Sequence, residues 1–295
     1  MIQSLTEMLA AAERGGYAVL APDFSSLSMV RTLIELAEEL DAPLLLSYTL
    51  ALREVRDLRS YARFIGVVRE EAEAAAVPVG LHLDHAHTLD EIREGVEVGY
   101  TSVMIDASSE PWEVNVERTQ AAVTIAHPAG VPVEAELGHV ATGDMYVVPG
   151  HGEDSQTVFT DPDQAVEFVR LTGVDALAVS IGTIHGTYRG TPTLQFGLLA
   201  ELHRRVPVPL VLHGASDTGD DNLRRLVTLG IRKINMYSDM VKAVKAELAA
   251  VLAQPEGVGA IQLAEAERRG VRREAARYFQ VSGSVGRGRS SILAR

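Results

Sequence analysis

Short apolar runs alternate with longer stretches whose apolar residues recur every three or four positions, and the rhythm continues along almost the whole chain. Tyr17 to Ala21 reads as a first strand after the Gly15-Gly16 turn. A helix follows with Val30, Leu33, Ile34, Ala37 and Leu40 on one face. Pro43 opens a second strand, Leu44-Leu45-Leu46, and the next helix carries Tyr61, Phe64, Ile65, Val68, Ala72 and Ala75. The third strand begins at Val79 and gives way abruptly to Asp84-His85-Ala86-His87, then to a helix start at Thr88 with Asp90 and Glu91 in its first turn. Ser102 to Asp106 is a fourth strand ending in an acid, and Val131 to Leu137 a fifth in which Glu134 and Glu136 share a face. Strands at 175–181, 208–212 and 231–234 alternate with helices marked by Ala165 and Phe168, by Leu199 and Leu202, and by Leu223 and Leu226. A last barrel helix uses Val241, Val244, Leu248 and Val251.

Near-continuously apolar strands separated by amphipathic helices indicate a parallel sheet covered on both faces. Eight such units in 295 residues, with no compositional break to mark a linker, predict one α/β domain, a (β/α)8 TIM barrel. The barrel and a C-terminal helix are expected over 1–280, and the Gly- and Arg-rich tail 281–295 is expected to be mobile. The rhythm is broken by the Gly-containing stretch 138–160, which bears Asp144, His151, Glu153 and Asp154. Loops of that length inside a compact fold are often functional lids.

Composition narrows the chemistry. Hydrophobic residues at 46% and charged residues at 23% are those of an ordinary soluble globular protein. A formal net charge of −13 argues against a nucleic-acid surface, so any phosphate is held by backbone amides or a few local donors. The absence of cysteine excludes disulfides, thiolate metal sites and cysteine nucleophiles. The chain shows neither a secretory pattern at its start nor an apolar run approaching a membrane span, so a cytoplasmic protein without a membrane partner is expected.

A barrel directs the C-terminal ends of its strands at the active site. Those ends carry Asp84 and His85, Asp106, Glu134 and Glu136, His185, His213 and Asn235. Three histidines on three neighbouring strand ends, with carboxylates between them, suit a Zn²⁺ site of nitrogen and oxygen ligands. Plainer readings stand beside this one. Asp106 also suits a helix cap, and Glu134 or Glu136 could pair with a barrel Lys or Arg. His87, His127, His139, His151 and His203 read as surface or loop residues. Asp84 is harder to set aside, because a carboxylate between a buried strand and a histidine is costly without a task or a partner. Gly186, Gly214-Ala215-Ser216 and Asn235-Met236-Tyr237-Ser238 place backbone amides beside these side chains, in loops where barrels commonly hold phosphate. A metal beside a phosphate nest fits a phosphorylated ketone or sugar.

Taken in order, these segments resemble the class II, metal-dependent ketose-bisphosphate aldolases, the fructose- and tagatose-bisphosphate aldolases. The likeness is carried by Arg14 to Val19, His82-Leu83-Asp84-His85, Ser102 to Ser108, Val133 to Gly138, Ala178 to Gly186, Leu210 to Ser216 and Lys233-Ile234-Asn235. The resemblance implies catalytic Zn²⁺ on His85, His185 and His213, with Asp84 as proton donor and acceptor at the hydroxyl where the carbon–carbon bond breaks. It implies a second or alternative divalent-ion site at Asp106 and Glu136. It also implies dihydroxyacetone phosphate held by Gly186, Gly214 to Ser216 and Asn235 to Ser238, with a metal-stabilised enediolate formed on cleavage. A homodimer or homotetramer is expected.

The chain departs from the family pattern in several places. Where family members usually read Pro-Ala-Phe-Asn, it reads Leu20-Ala21-Pro22-Asp23. The stretch Ser47 to Leu52 lacks the usual Gly- and Ser-containing loop, and only Asp144 stands in for the acids of the mobile loop. An aldolase acting on a divergent, differently phosphorylated or unphosphorylated substrate, or a non-catalytic aldolase-like subunit, are the alternatives these departures leave open.

Overall fold

The computed structural model describes residues 1–50, 61–140, 158–186, 193–254 and 257–289. Its strands are β1 (Val19–Pro22), β2 (Leu44–Thr49), β3 (Val79–Ala86), β4 (Ser102–Ile105), β5 (Val133–Leu137), β6 (Ala176–Val179), β7 (Leu210–Leu212) and β8 (Ile231–Met236). Each pairs in parallel with its neighbours in chain order, and β8 returns to β1 to close the barrel. Among the described residues the α-helices are α1 (Leu5–Gly15), α2 (Leu27–Glu39), α3 (Tyr61–Ala74), α4 (Leu89–Val98), α5 (Trp112–Ala126), α6 (Pro162–Thr172), α7 (Phe196–Arg205), α8 (Asp220–Thr228), α9 (Ser238–Leu252) and α10 (Ala260–Val281). The expected (β/α)8 barrel is the observed fold.

The alternation of side chains along each strand divides the apolar residues into two cores. Outward-facing residues such as Leu20, Leu44, Leu46, Val103 and Leu177 pack against the helices in one continuous ring. Inward-facing Val19, Ala21, Leu45, Met104, Ala176, Ala178 and Val211 fill the barrel, and Leu5, Met8, Leu9 and Ala12 of α1 close its floor. The floor helix was not among the expected elements. Its signal is a capping box: Ser4 accepts from the Glu7 amide while the Glu7 side chain answers the Ser4 amide, just ahead of apolar positions at helical spacing. Gly80 belongs to the same floor, since a Cβ there would meet Leu45 Cδ1 at 2.6 Å and the Gln3 carbonyl at 3.1 Å.

Two expected boundaries move for identifiable reasons. β1 starts at Val19 rather than Tyr17, because Gly16 ends α1 in the left-handed region and the Tyr17 amide turns back to the Ala12 carbonyl. Val241, assigned to an inward face, is exposed. α10 packs on α9 so closely that a Cβ on Gly270 would lie 2.5 Å from Val244 Cα, and Met240, Ala243 and Val251 are the buried apolar residues of α9. α10 then reaches the barrel mouth, where the Tyr278 hydroxyl donates to the Ala215 carbonyl and to Asp239 Oδ2. Beyond it, Ser282 and Ser284 are buried and the Gly286 amide donates to the Leu40 carbonyl at 3.0 Å. Residues 290–295 of the expected tail lie outside the described residues.

Leu9→Ala should lower the unfolding free energy by about 2–5 kcal/mol, the cost of removing a fully buried leucine from the floor. The check is the denaturation midpoint; a loss below about 1 kcal/mol would show that α1 does not plug the barrel.

Candidate active site

Strand alternation alone would send Asp84 and His85 to opposite faces. A break in the β3–β4 register between Leu83 and Ala86, with His85 at φ 47°, turns both toward the barrel mouth. His85 then donates from Nδ1 to Asp106 Oδ2 at 2.8 Å, and the other oxygen of Asp106 accepts from the Ser108 amide (3.0 Å) and hydroxyl (2.8 Å). Asp106 is therefore a positioned partner of His85 in this structure. Burial works against the charged form of His85, but Asp84 and Asp106 outweigh it and raise its pKa to about 10.

His213 and His185 arrive from the other side. The barrel order corrects the expectation of three neighbouring strands: β6 and β7 are adjacent, whereas β3 lies across the barrel from them. Their meeting depends on Gly214, which has φ 66° and sits where a Cβ would be 2.4 Å from the Ile184 carbonyl oxygen. Only glycine lets the loop after β7 press this closely on the loop carrying His185.

The three imidazole rings pack edge to face, with centroids 5.1 Å apart for His85 and His185, 4.7 Å for His85 and His213, and 5.7 Å for His185 and His213. One nitrogen of each lies within 4.8 Å of the others. The opposite nitrogens are engaged: His85 with Asp106, His185 Nδ1 with the Val140 carbonyl at 3.2 Å, and His213 Nε2 with Glu134 Oε1 at 2.9 Å. His85 Nε2, His185 Nε2 and His213 Nδ1 are left facing one another. His185 Nε2 is buried and has no hydrogen-bond partner among the described residues. Burial and the neighbouring imidazoles hold His185 down to about 3, so it is a neutral ring with a lone pair to give. Outer nitrogens tied to carboxylate and carbonyl, with inner nitrogens converging on one another, are the arrangement a metal ion requires of histidines.

Asp84 lies beside this cluster, 2% exposed, with Oδ2 3.8 Å from His85 Nε2. The Asn235 amide donates to both of its oxygens, at 3.0 and 3.2 Å. Burial opposes ionisation of Asp84, but the positive charges of His85 and Lys233 help hold it well below the usual carboxylate range. Glu136 differs: burial and the charge of Asp106 push it up to about 8. Its Oε1 accepts from the Val140 amide at 2.9 Å, and Oε2 is buried without a partner among the described residues. His85, Asp106 and Glu136 form a second group able to hold a cation.

The structure also assembles side chains to which the resemblance assigned no ligand or catalytic role. Glu134, as the alternative reading had it, pairs with a barrel lysine: Lys233 Nζ donates to Oε1 at 2.9 Å and Oε2 at 2.8 Å, and both side chains are wholly buried. Burial opposes its charge, yet Lys233 draws Glu134 down to about 2. His82, also buried, touches Lys233 through Nε2 and Ser102 through Nδ1. The sequence signal was polar residues at alternate positions inside otherwise apolar strands. At the end of β1, Asp23 Oδ1 is buried without a partner among the described residues, and burial and Asp84 raise its pKa well above the usual range.

The two expected phosphate segments are neighbours. Ser216 accepts from the Asp239 amide at 3.2 Å, Asp239 accepts from the Asp217 amide, and Ser238 opens α9. Gly186 has φ 91°. The Asn235 side chain is turned to Asp84, and buried Met236 accepts from the Asp23 amide through its carbonyl. His139 is a loop residue but not a surface one, since Nδ1 meets the Ser108 hydroxyl at 2.9 Å. Asp144 and His151 lie outside the described residues.

A parallel barrel with these side chains at its C-terminal mouth is the frame of a metal-assisted lyase, and sequence comparison identifies which. The profile of the family described as fructose-bisphosphate aldolase class-II matches residues 3–287, and the chain belongs to that metal-dependent family of carbon–carbon lyases. The D-tagatose-1,6-bisphosphate aldolase subunit GatY of Klebsiella oxytoca is 39% identical over 243 residues, covering 81% of this chain and 82% of that one. The crystal structure of the YdjI aldolase from Escherichia coli K12 superposes with a TM-score of 0.85 at 32% identity, covering 98% of this chain and 100% of that one. A fructose-bisphosphate aldolase from Campylobacter jejuni shares the fold, with a TM-score of 0.79 at 20% identity over 96% of each chain.

Gly214→Ala should force the two histidine-bearing loops apart. Titration with a chromophoric chelator should then show zinc affinity falling by at least about tenfold, while far-UV circular dichroism keeps the barrel signal. Unchanged affinity would mean that the close approach to Ile184 does not hold the histidines together.

Proposed function

We propose that this chain is a Zn²⁺-dependent aldolase that reversibly cleaves a phosphorylated ketose to dihydroxyacetone phosphate and an aldehyde. The observation that carries this reading is the buried His185 Nε2, without a hydrogen-bond partner among the described residues, facing His85 and His213 with the Asp84 carboxylate beside them. His85 Nε2, His185 Nε2 and His213 Nδ1 would hold the ion. Zn²⁺ bound there supplies a Lewis acid for the ketone oxygen of the substrate.

The remaining work falls to the chain's own groups. In the cleavage direction Asp84, aligned by Asn235 and held ionised, takes the proton from the hydroxyl on the carbon that becomes the aldehyde. As that oxygen forms a carbonyl, the carbon–carbon bond breaks and its electron pair stays with the donor carbon. A proton must then be delivered to that carbon, the role assigned to Asp144. In synthesis both transfers run backwards. The backbone of Gly186, Gly214 to Ser216 and Met236 to Ser238 would take the donor phosphate, with the start of α9 contributing its amides. Asp106 and Glu136 would share a second divalent ion with His85. Among the described residues no helix is long and apolar enough to cross a membrane, and a cytoplasmic homodimer or homotetramer is part of the same reading.

Asp23 supports a second reading of the substrate. A carboxyl group beside Asp84, where relatives of this family usually carry the amide of Asn, changes what the aldehyde half meets and favours a ketose other than the usual bisphosphates.

The test is proton exchange at the donor carbon. Zinc-loaded protein incubated with dihydroxyacetone phosphate in heavy water should exchange one carbinol proton, followed by NMR, and excess chelator should stop it. No exchange with zinc bound would sink dihydroxyacetone phosphate as the donor. Asp84→Ala should retain zinc yet lose roughly 10²–10⁴-fold in cleavage rate, and a fully active variant would remove Asp84 from its role.

A further inference from the structure

We propose that Lys233 is a positioning residue for the metal site, setting through Glu134 which ring nitrogen of His213 faces inward with a lone pair. The inference rests on the aldolase reading only in taking His213 as a ligand. Lys233 lies on β8 two residues before Asn235, points into the barrel and is wholly buried. An ammonium has three protons to donate. Three acceptors surround this one: Glu134 Oε1 at 2.9 Å, Glu134 Oε2 at 2.8 Å and His82 Nε2 at 3.2 Å.

Two hydrogen-bond directions follow from that saturation. Glu134, paired with an ammonium through both oxygens, can only accept, so the 2.9 Å contact to His213 Nε2 is donated by the ring. His213 thus carries its hydrogen on Nε2, and Nδ1, which lies 3.0 Å from His85 Nε2, keeps its lone pair. His82 accepts through Nε2, so its hydrogen sits on Nδ1 and is donated to the Ser102 hydroxyl at 2.8 Å. His82 Nε2, 3.5 Å from Asp84 Oδ1, therefore offers the acid no proton, and Asn235 is left as the amide donor to Asp84. A single lysine beneath the mouth orders the partners of both a histidine and the acid.

The geometry makes an unusual demand on variants. In Glu134→Gln the amide oxygen takes the Oε1 place, the position within reach of both Lys233 Nζ and His213 Nε2, so His213 still donates from Nε2 while the ammonium holds the amide in that orientation. Adding Lys233→Met removes the group that fixes which end of the amide faces His213, and an NH₂ turned to Nε2 moves the ring hydrogen to Nδ1, the nitrogen meant for the metal. Zinc affinity, measured by competition with a chromophoric chelator, should therefore fall by about tenfold or more from wild type to Glu134→Gln/Lys233→Met, with a folded Glu134→Gln above the double variant, and the visible spectrum of the Co²⁺-loaded protein should change with it.

The double variant has no unpaired buried charge and keeps the proposal testable if the single one does not fold. A double variant with wild-type zinc affinity and Co²⁺ spectrum would overturn the proposal. So would a folded Glu134→Gln whose zinc affinity is unchanged when Lys233→Met is added. Wild-type protein that binds no zinc would instead sink the reading of the histidine cluster itself, whatever the variants do.

Discussion

A barrel mouth that holds Asp23, Asp84, Asp106, Glu134 and Glu136 within one buried region faces a problem of charge before any question of catalysis. Carboxylates taken out of water must be paired, hydrogen-bonded or neutralised, because the desolvation of each is worth several kcal/mol. The chain answers with a buried cation, Lys233, at the level below the mouth. Glu134 is matched by that ammonium, Asp106 by His85 and Ser108, and Asp84 by Asn235 and the surrounding imidazoles. Glu136 and Asp23 are the groups left with raised pKa values and buried oxygens that have no partner among the described residues. Polar demand is thus met at the base of the site and left open at its top, where a cation and a substrate would enter.

Rigidity follows from the same arrangement. The histidines do not stand alone on loops: each has its outer nitrogen tied to a group whose own position is set by a strand. Glu134 comes from β5, Asp106 directly follows β4, and the Val140 carbonyl that meets His185 is anchored by its amide to Glu136 on β5. Glycine at 214 allows the loops to meet, and a positive φ at His85 turns two consecutive residues to one side. These local conformations are costly for an unsupported chain and persist where the surrounding structure over-determines them.

Much of this was written in the chain at short range. Short, near-continuously apolar strands and period-three-to-four helices announced the barrel, because a strand covered on both faces and a helix buried on one each leave a local signal. The strand-end residues Asp84, His85, Asp106, His185 and His213 stood out as polar groups at the close of apolar runs, and the family motifs agreed with them. The helix on the floor was also legible, in the Ser4–Glu7 capping box and its apolar spacing, although the strand–helix rhythm drew attention past it.

Tertiary structure decided what no local pattern carries. That Lys233 meets Glu134, 99 positions away in the chain, and that His213 meets His85, 128 positions away, depends on the order in which strands close around the barrel. His82, two residues before Asp84 on the same inward face, reads as strand filler until Lys233 and Ser102 are set against it. The sequence by itself determined the elements, the fold class and the strand ends where chemistry collects, since these rest on spacing along one segment. Which nitrogen of each histidine faces inward, which carboxylates are matched and which are left open was decided by contacts between segments, because hydrogen bonds and desolvation depend on neighbours in space.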